Sequence, residues 1–284
     1  MQRAALPRDH LTVDAAAPRG RARYASGMLR LYWQPGCTSC LRAREFLRTN
    51  GVEFESVNVR ADPQAYAELQ ALGLRTVPVL ARGADYVLAQ DIDEVAAFVG
   101  LSAERARLPV AELCARLTAL LSIAERQIAE IPEHFATATV PGRDRRWLDL
   151  AFHLPMIVRG FLEAAAGGEL AYEFYEREAP PRASAPTAVA RLVRQTRTRF
   201  TRWQRRHLTD PDLPARTLRT YFGAKRLDVV LERTTWHVAQ HCRQLEDLLV
   251  RRAGVQPTVR LDRTLLEGLP LPQNIWDPEP GAAC

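Results

Sequence analysis

The chain has 284 residues, of which 47% are hydrophobic and 25% charged, and its formal net charge is +6. These values are typical of an ordinary soluble globular protein, and the length predicts two domains. No apolar run reaches the roughly 18 residues of a membrane span, and no secretory signal is recognisable, so we expect no membrane partner.

The positive charge raises the question of a nucleic-acid partner. Lys225 is the only lysine, and the arginines are spread along the chain among acidic residues. This pattern favours a codon bias over a binding surface, so nucleic acid ranks last among the expected partners. Five cysteines form an odd and sparse set, which argues against a disulfide framework and predicts a reducing, cytoplasmic location.

The N-terminal third predicts a disordered arm followed by a small α/β domain. Residues 1–27 are rich in Ala, Arg and Pro and lack periodicity, whereas residues 28–102 follow the order β-α-β-α-β-β-α. The predicted strands lie at 29–33, 52–59, 77–81 and 86–90, and the predicted helices at 39–51, 62–73 and 91–100. That order makes a complete α/β domain.

Residues 108–255 contain no recognisable strand and predict an all-α domain. Four long segments have apolar residues at helical spacing, which is typical of a four-helix bundle. These segments are 109–131, 144–167, 186–208 and 221–254. Residues 256–284 form a Pro-rich tail, which we expect to contact a domain through Leu265, Leu266 and Trp276.

The first candidate site is the pair Cys37 and Cys40, in "QPGCTSC". A strand precedes the pair and a helix follows it, so Cys37 falls at a helix N-terminus, where backbone N–H groups favour a thiolate. Cys40, one turn further along, can then attack a mixed disulfide on Cys37. The alternative is half of a zinc site, which would need a second Cys or His pair, and residues 41–113 contain neither residue type.

Residues 28–100 resemble the glutaredoxin branch of the thioredoxin-like fold. "CTSC" stands at the family's dithiol position, and "TVP" (76–78) matches the segment whose cis-proline faces the dithiol. "AQDIDEV" (89–95) matches the start of the last helix. The resemblance implies positions that bind glutathione or another low-molecular-weight thiol, which are Thr76, Val77, Pro78, Gln90 and Asp91. Thr38 and Ser39 replace the family's common aromatic residue, so the identity of the thiol stays open.

The second candidate site consists of His153, His237 and His241. His237 and His241 are four residues apart in "WHVAQH", which places both imidazoles on one helix face. His153 lies within another predicted helix and can supply a third ligand. Three histidines plus water would form an open, reactive metal site, although a His pair at this spacing is also compatible with a solvent-exposed helix face.

Residues 110–253 resemble the DinB/YfiT-like metal-binding four-helix bundles. "ERTTWHVAQHCRQLEDLL" (232–249) is similar to the family's last helix, and "LAFHLPMIV" (150–158) supplies the histidine of the second helix. The resemblance implies that His153, His237 and His241 bind a divalent metal, usually zinc or nickel. It also implies that the metal holds a low-molecular-weight thiol as its thiolate.

Together these patterns predict a thiol-dependent oxidoreductase or transferase. The dithiol would exchange disulfides with glutathione or a similar thiol, and the metal site would activate a thiol for attack on a disulfide or another electrophile. The alternative is a redox sensor or interaction protein with a non-catalytic bundle. The oligomeric state stays open, with dimerisation through the bundle as one option.

Overall fold

A computed structural model describes residues 27–102 and 105–278 of the chain. The predicted disordered arm (1–27) lies outside the described residues except for its last position, and so do the final six residues of the Pro-rich tail.

The N-terminal region is an α/β unit with a mixed four-stranded sheet. Asp62 caps α2 by accepting hydrogen bonds from two backbone N–H groups, and Pro63 takes the first position of the helix. The sheet order is β2-β1-β3-β4, in which β1 pairs with β2 in parallel and the other pairs are antiparallel. In chain order the elements are β1 (Leu29–Trp33), α1 (Thr38–Thr49), β2 (Glu55–Asn58), α2 (Pro63–Ala71), β3 (Val79–Arg82), β4 (Asp85–Leu88) and α3 (Ile92–Phe98).

Side chains along the strands point alternately to the two faces of the sheet, and an apolar cluster lies on each face. Leu31 and Leu80 point to the face that packs against Leu47 of α1 and Val95 of α3. Tyr32 and Val79, one residue along their strands, point to the opposite face, where the cluster includes Cys40 and Leu69. Because successive side chains on a strand face opposite sides, the sheet is covered by helices on both faces.

The second region is mainly helical and has one larger core. Both α4 and α5 pack against α7 and α8, so the four long helices enclose that core. Pro155 lies inside α5 without ending it. Among the described residues, no helix combines the length and the apolar character needed to cross a bilayer. The helices are α4 (Val110–Ala129), α5 (Trp147–Ala165), α6 (Glu173–Glu176), α7 (Pro186–His207) and α8 (Leu227–Asp247).

The prediction that residues 108–255 contain no strand was wrong. Three short strands, β5 (Glu169–Leu170), β6 (Thr217–Thr220) and β7 (Gly223–Arg226), form a small sheet at one end of the helices. Leu218 and Thr220 alternate with exposed residues, and Gly223 takes a positive φ of 102° in the hairpin between β6 and β7. The hairpin runs directly into α8, so β7 was absorbed into a predicted helix that began at residue 221, whereas β6 lies just before that predicted helix.

The C-terminal tail joins the two regions. Leu265, Leu266 and Trp276 are half-buried against the helical core, in agreement with the sequence prediction. Further along, the Glu45 carboxylate on α1 accepts hydrogen bonds from the backbone N–H groups of Gln273 and Asn274. The tail therefore contacts the N-terminal region as well as the helices.

Candidate active site between the two regions

The dithiol lies where β1 leads into α1. Cys37 is the N-cap of α1 and forms a disulfide with Cys40, and its Sγ accepts a hydrogen bond from the Cys40 N–H at 3.2 Å. Cys40 is fully buried, whereas Cys37 is half-buried. Since only one sulfur of the pair is accessible, an incoming thiol or disulfide meets Cys37 first.

The predicted thiol-binding segment 76–78 lies against the dithiol. The Val77–Pro78 peptide bond is cis, and the Val77 side chain belongs to the same apolar cluster as Cys40. Cys37 packs against this cluster. Val77 of this segment therefore shares one apolar cluster with both cysteines.

Gln90 and Asp91 face the helical region. The Gln90 side chain is buried, donates to Val77 O at 3.3 Å and accepts from Arg233 of α8 at 2.9 Å. Asp91 caps α3 by accepting from the Asp93 N–H, and it also pairs with Arg107. The two residues that the resemblance assigns to a bound thiol thus also bond to Arg233 and Arg107.

The three histidines come together inside the helical core. His153 projects from α5 and His237 and His241 from α8, and their potential ligand atoms all lie within 4.8 Å of one another. All three side chains are buried, at 3% to 6% exposure. The structure thus assembles the three residues and excludes the alternative of a solvent-exposed His pair.

The chemistry of these rings fits a metal ion. Among the described residues, Nδ1 of His153, Nδ1 of His237 and Nε2 of His241 are buried without a hydrogen-bond partner. Unsatisfied buried polar atoms are costly and mark a place where an ion would complete the bonding. Burial and neighbouring positive charge hold the pKa of His153 and His237 well below 6.5 and lower that of His241 to about 3. The imidazoles are therefore neutral, the form that binds metals.

Gln244 sets the tautomer of His241. Gln244 Nε2 donates to Ile275 O at 2.9 Å, so Oε1 faces His241 and accepts a hydrogen bond from its Nδ1–H at 2.7 Å. His241 Nε2 then carries the lone pair. An outer hydrogen bond of this kind orients a metal-binding histidine.

Arginines and tyrosines surround the histidines. The Arg145 charge contributes to the lowered pKa of all three histidines. The Tyr175 ring centroid lies 5.5 Å from His153 and 5.7 Å from His237, and its hydroxyl accepts from Arg233 Nη1 at 2.8 Å. The cluster is electropositive, which favours an anionic ligand.

A small pocket joins the dithiol to the surroundings of the histidines. Its water-accessible volume is about 20 Å³, enough for about one water molecule. Cys37 lies on its wall together with Gln244, the partner of His241. The other lining residues are Gly36, Thr38, Leu41, Val140, Pro141, Arg143, Arg145, Leu150, Trp276 and Asp277.

Sequence reasoning missed Arg143, Arg145, Arg233 and Gln244. The run "GRDRRW" before α5 carries the first two, but a loop sequence does not indicate which surface it will face. Arg233 lies one turn before His237, and Gln244 lies three residues after His241. Helical spacing therefore places both near the predicted histidines, which is the signal that could have found them.

Residues 29–87 match the glutaredoxin family model. The N-terminal region is therefore a glutaredoxin-like domain with the thioredoxin-like fold, and the family supports thiol-disulfide exchange at its dithiol. The match covers less than a quarter of the chain, and the helical region lies outside it.

Two further comparisons add nothing to this assignment. A comparison with curated proteins finds no match. Among solved structures, the chain is similar to the crystal structure of beta-etherase LigF from Sphingobium sp. strain SYK-6, at 16% identity over 85% of this chain and 91% of that one. The TM-score is 0.29, which is below the level at which two chains share a fold.

Proposed function

We propose that this chain is a thiol-dependent oxidoreductase in which the glutaredoxin-like domain and the helical region share one site. Cys37 and Cys40 exchange disulfides with glutathione or another low-molecular-weight thiol, while His153, His237 and His241 hold zinc or nickel. The observation that carries this proposal is the common pocket. One of its walls is Cys37, and another is Gln244, which hydrogen-bonds a histidine of the cluster.

The exchange starts from the reduced dithiol. The Cys37 thiolate attacks one sulfur of a small disulfide, so that a bond to Cys37 Sγ forms, the substrate S–S bond breaks, and one thiolate leaves and takes a proton from water. The Cys40 thiolate then attacks Cys37 Sγ, which releases the second thiolate and forms the intramolecular disulfide. Two molecules of the low-molecular-weight thiol return the two electrons and become its disulfide.

The helix N-terminus supports Cys37 as the attacking group. As the N-cap of α1, Cys37 meets backbone N–H groups and the positive end of the helix dipole, both of which stabilise a thiolate. The Cys40 side chain has no exposed surface and is suited only to an attack from within.

The buried ring nitrogens support a metal at the three histidines. A divalent metal held there would act as a Lewis acid and lower the pKa of a coordinated thiol. This chain contributes neutral imidazoles, the Gln244 hydrogen bond that orients His241, and a surrounding positive charge from Arg145. The same activated thiol could attack a non-disulfide electrophile, which would make the chain an S-transferase as well.

Substrate access requires the pocket to widen. A volume of about 20 Å³ holds about one water molecule, far less than a tripeptide thiol needs. Trp276 and Asp277 of the tail form part of the wall, so movement of the tail would enlarge the opening. In this proposal the thiol lies along the segment Thr76–Pro78 and reaches Gln90 and Asp91, which also bond to Arg233 and Arg107.

Substitution of each cysteine of the dithiol tests the exchange. Cys37→Ser abolishes reduction of a glutathionylated test disulfide by the full chain. Cys40→Ser still attacks the substrate and accumulates a mixed disulfide on Cys37, which intact-protein mass spectrometry detects. Cys284→Ala, outside the described residues, controls for the loss of a thiol. Full activity in Cys37→Ser would refute the redox assignment.

A redox sensor is the second candidate, and one observation favours it. Gln90 links the dithiol loop to α8, because it donates to Val77 O and accepts from Arg233. A change at the dithiol could therefore be transmitted to the helices without any turnover. Repeated turnover of a small disulfide by the purified, metal-loaded protein separates the two candidates, since a sensor reacts only once per chain.

A further inference from the structure

Two arginines of the helical region border the pocket beside Cys37. Arg143 and Arg145 lie in the loop before α5, and both line the pocket. Arg143 Nη1 donates to Gly36 O at 2.9 Å, directly before the dithiol. Gly36 has a φ of 70°, and a Cβ at this position would collide with the Arg143 side chain. The glycine therefore lets a guanidinium approach the turn that carries Cys37.

Neither arginine has an acidic partner within the described residues. Arg145 Nη2 donates to Asp149 O at 3.0 Å, but the Asp149 carboxylate accepts two hydrogen bonds from Arg146. Asp277, the carboxylate on the pocket wall, pairs with Arg44. Burial, and next the charge of Arg143, lower the pKa of Arg145 to about 9. Arg143 and Arg145, which form no ion pair within the described part of the chain, make this part of the pocket electropositive and complementary to an anion.

We propose that Arg143 and Arg145 form a carboxylate-binding subsite for the substrate of Cys37, so that the preferred substrate is a small disulfide carrying a carboxylate near its sulfur. This inference rests on the proposed thiol-disulfide exchange and specifies its substrate class. Guanidinium groups bind carboxylates through paired, charge-assisted hydrogen bonds, which supply both affinity and orientation. Because Cys37 lies on the same small pocket, a substrate anchored by its carboxylate presents its sulfur to Cys37.

A matched pair of substrates tests the subsite. The reduced full chain is mixed with 3,3′-dithiodipropionate or with its uncharged diamide, and the two second-order rate constants are measured. The same two rate constants are measured with free dithiothreitol in place of the protein. Dividing the ratio for the protein by the ratio for dithiothreitol removes the intrinsic difference in reactivity between the two disulfides. We expect a normalised preference for the dicarboxylate of about tenfold or more, the contribution of a charged hydrogen bond.

Arginine variants then assign the preference to this pocket. Arg145→Gln and Arg143→Gln lower the normalised ratio toward one, whereas Arg205→Gln, an exposed arginine on α7, leaves it unchanged. If the pocket variants fail to fold, propionate is added to the wild-type reaction instead. We expect propionate to inhibit reduction of the dicarboxylate competitively and to leave reduction of the diamide unchanged, and equal inhibition of both would overturn the subsite.

The outcomes separate this inference from the proposed function. A wild-type ratio near one, or a preference that survives in folded Arg145→Gln, would overturn the carboxylate subsite while leaving the exchange reaction intact. Failure of the wild-type protein to reduce either disulfide would instead refute the exchange reaction.

Discussion

Cys37 and Cys40 are separated by one helical turn and differ in exposure. The N-cap position leaves Cys37 half-buried beside a pocket, while Cys40 points into the apolar cluster beneath the sheet. The strand-turn-helix pattern was enough to predict that the two cysteines form a dithiol and that Cys37 lies at the N-terminus of a helix. The pattern could not predict Arg143 beside Gly36, because that contact joins residues 107 positions apart.

Cys114 and Cys242 are buried, so we expect alkylation of the native protein to be selective for Cys37. Burial raises the pKa of the Cys114 thiol to about 12, and burial together with Glu246 raises that of Cys242 further. Because only thiolates react readily, iodoacetamide should label Cys37 in the native, reduced protein and leave both buried cysteines unmodified. Peptide mass spectrometry measures the labelling, with urea-unfolded protein as the control. Native labelling of Cys114 at the rate of Cys37 would contradict this prediction.

Gln244 offers a test of the outer hydrogen bond to His241. Gln244→Ala should lower zinc affinity by about 10- to 100-fold, because the tautomer and orientation of the imidazole are no longer held. Gln240→Ala is the matched control, since Gln240 also donates to Ile275 O but has no hydrogen bond to a histidine. Competition with a chromogenic chelator measures the affinity. Equal losses in both variants would show that the tail contact, rather than the histidine contact, is responsible.

At the scale of elements, α8 combines most of the features of the site. Its four-residue His spacing predicted a shared face, and α5 supplies the third histidine where the sequence placed it. Arg233 on the same helix contacts Gln90, and Trp236 lies 4.2 Å from the Arg42 guanidinium of α1. Helical periodicity reveals which residues share a face, but it does not reveal which neighbouring domain that face meets.

Because the three histidines on α5 and α8 are buried and neutral, we expect acid to lower the free energy of unfolding. In the metal-free protein they stay neutral because burial lowers their pKa, whereas in the unfolded chain they gain protons below a pKa of about 6.5. Stability is therefore retained above pH 6.5 and lost as the pH falls. Each histidine contributes a slope of about 1.4 kcal/mol per pH unit.

Urea unfolding of the metal-free chain between pH 7.5 and 5 measures this slope. His241→Gln should show a smaller slope, because one proton fewer is taken up on unfolding. A free energy of unfolding that stays constant down to pH 5 would contradict the neutral, buried state of the histidines.

At the scale of the whole molecule, the arrangement of the two regions is what the sequence could not predict. Arg105 pairs with Glu232 and Lys225 pairs with Glu94, while the tail reaches Arg44 through Asp277. All of these contacts join residues more than 100 positions apart, so neither periodicity nor local motifs could identify them. The two candidate sites were each predictable from local patterns, whereas the pocket between them arises only from this packing.

The most direct test of a shared site is steady-state reduction of a small disulfide by the full chain, with glutathione as reductant, before and after removal of the metal. We predict that chelation lowers turnover about tenfold, since the thiol at the histidines returns to its ordinary pKa and its thiolate fraction falls. Added zinc should restore the wild-type rate but not that of His237→Ala. Unchanged turnover after complete removal of zinc from the wild-type protein would show that the dithiol acts alone, and would contradict the account.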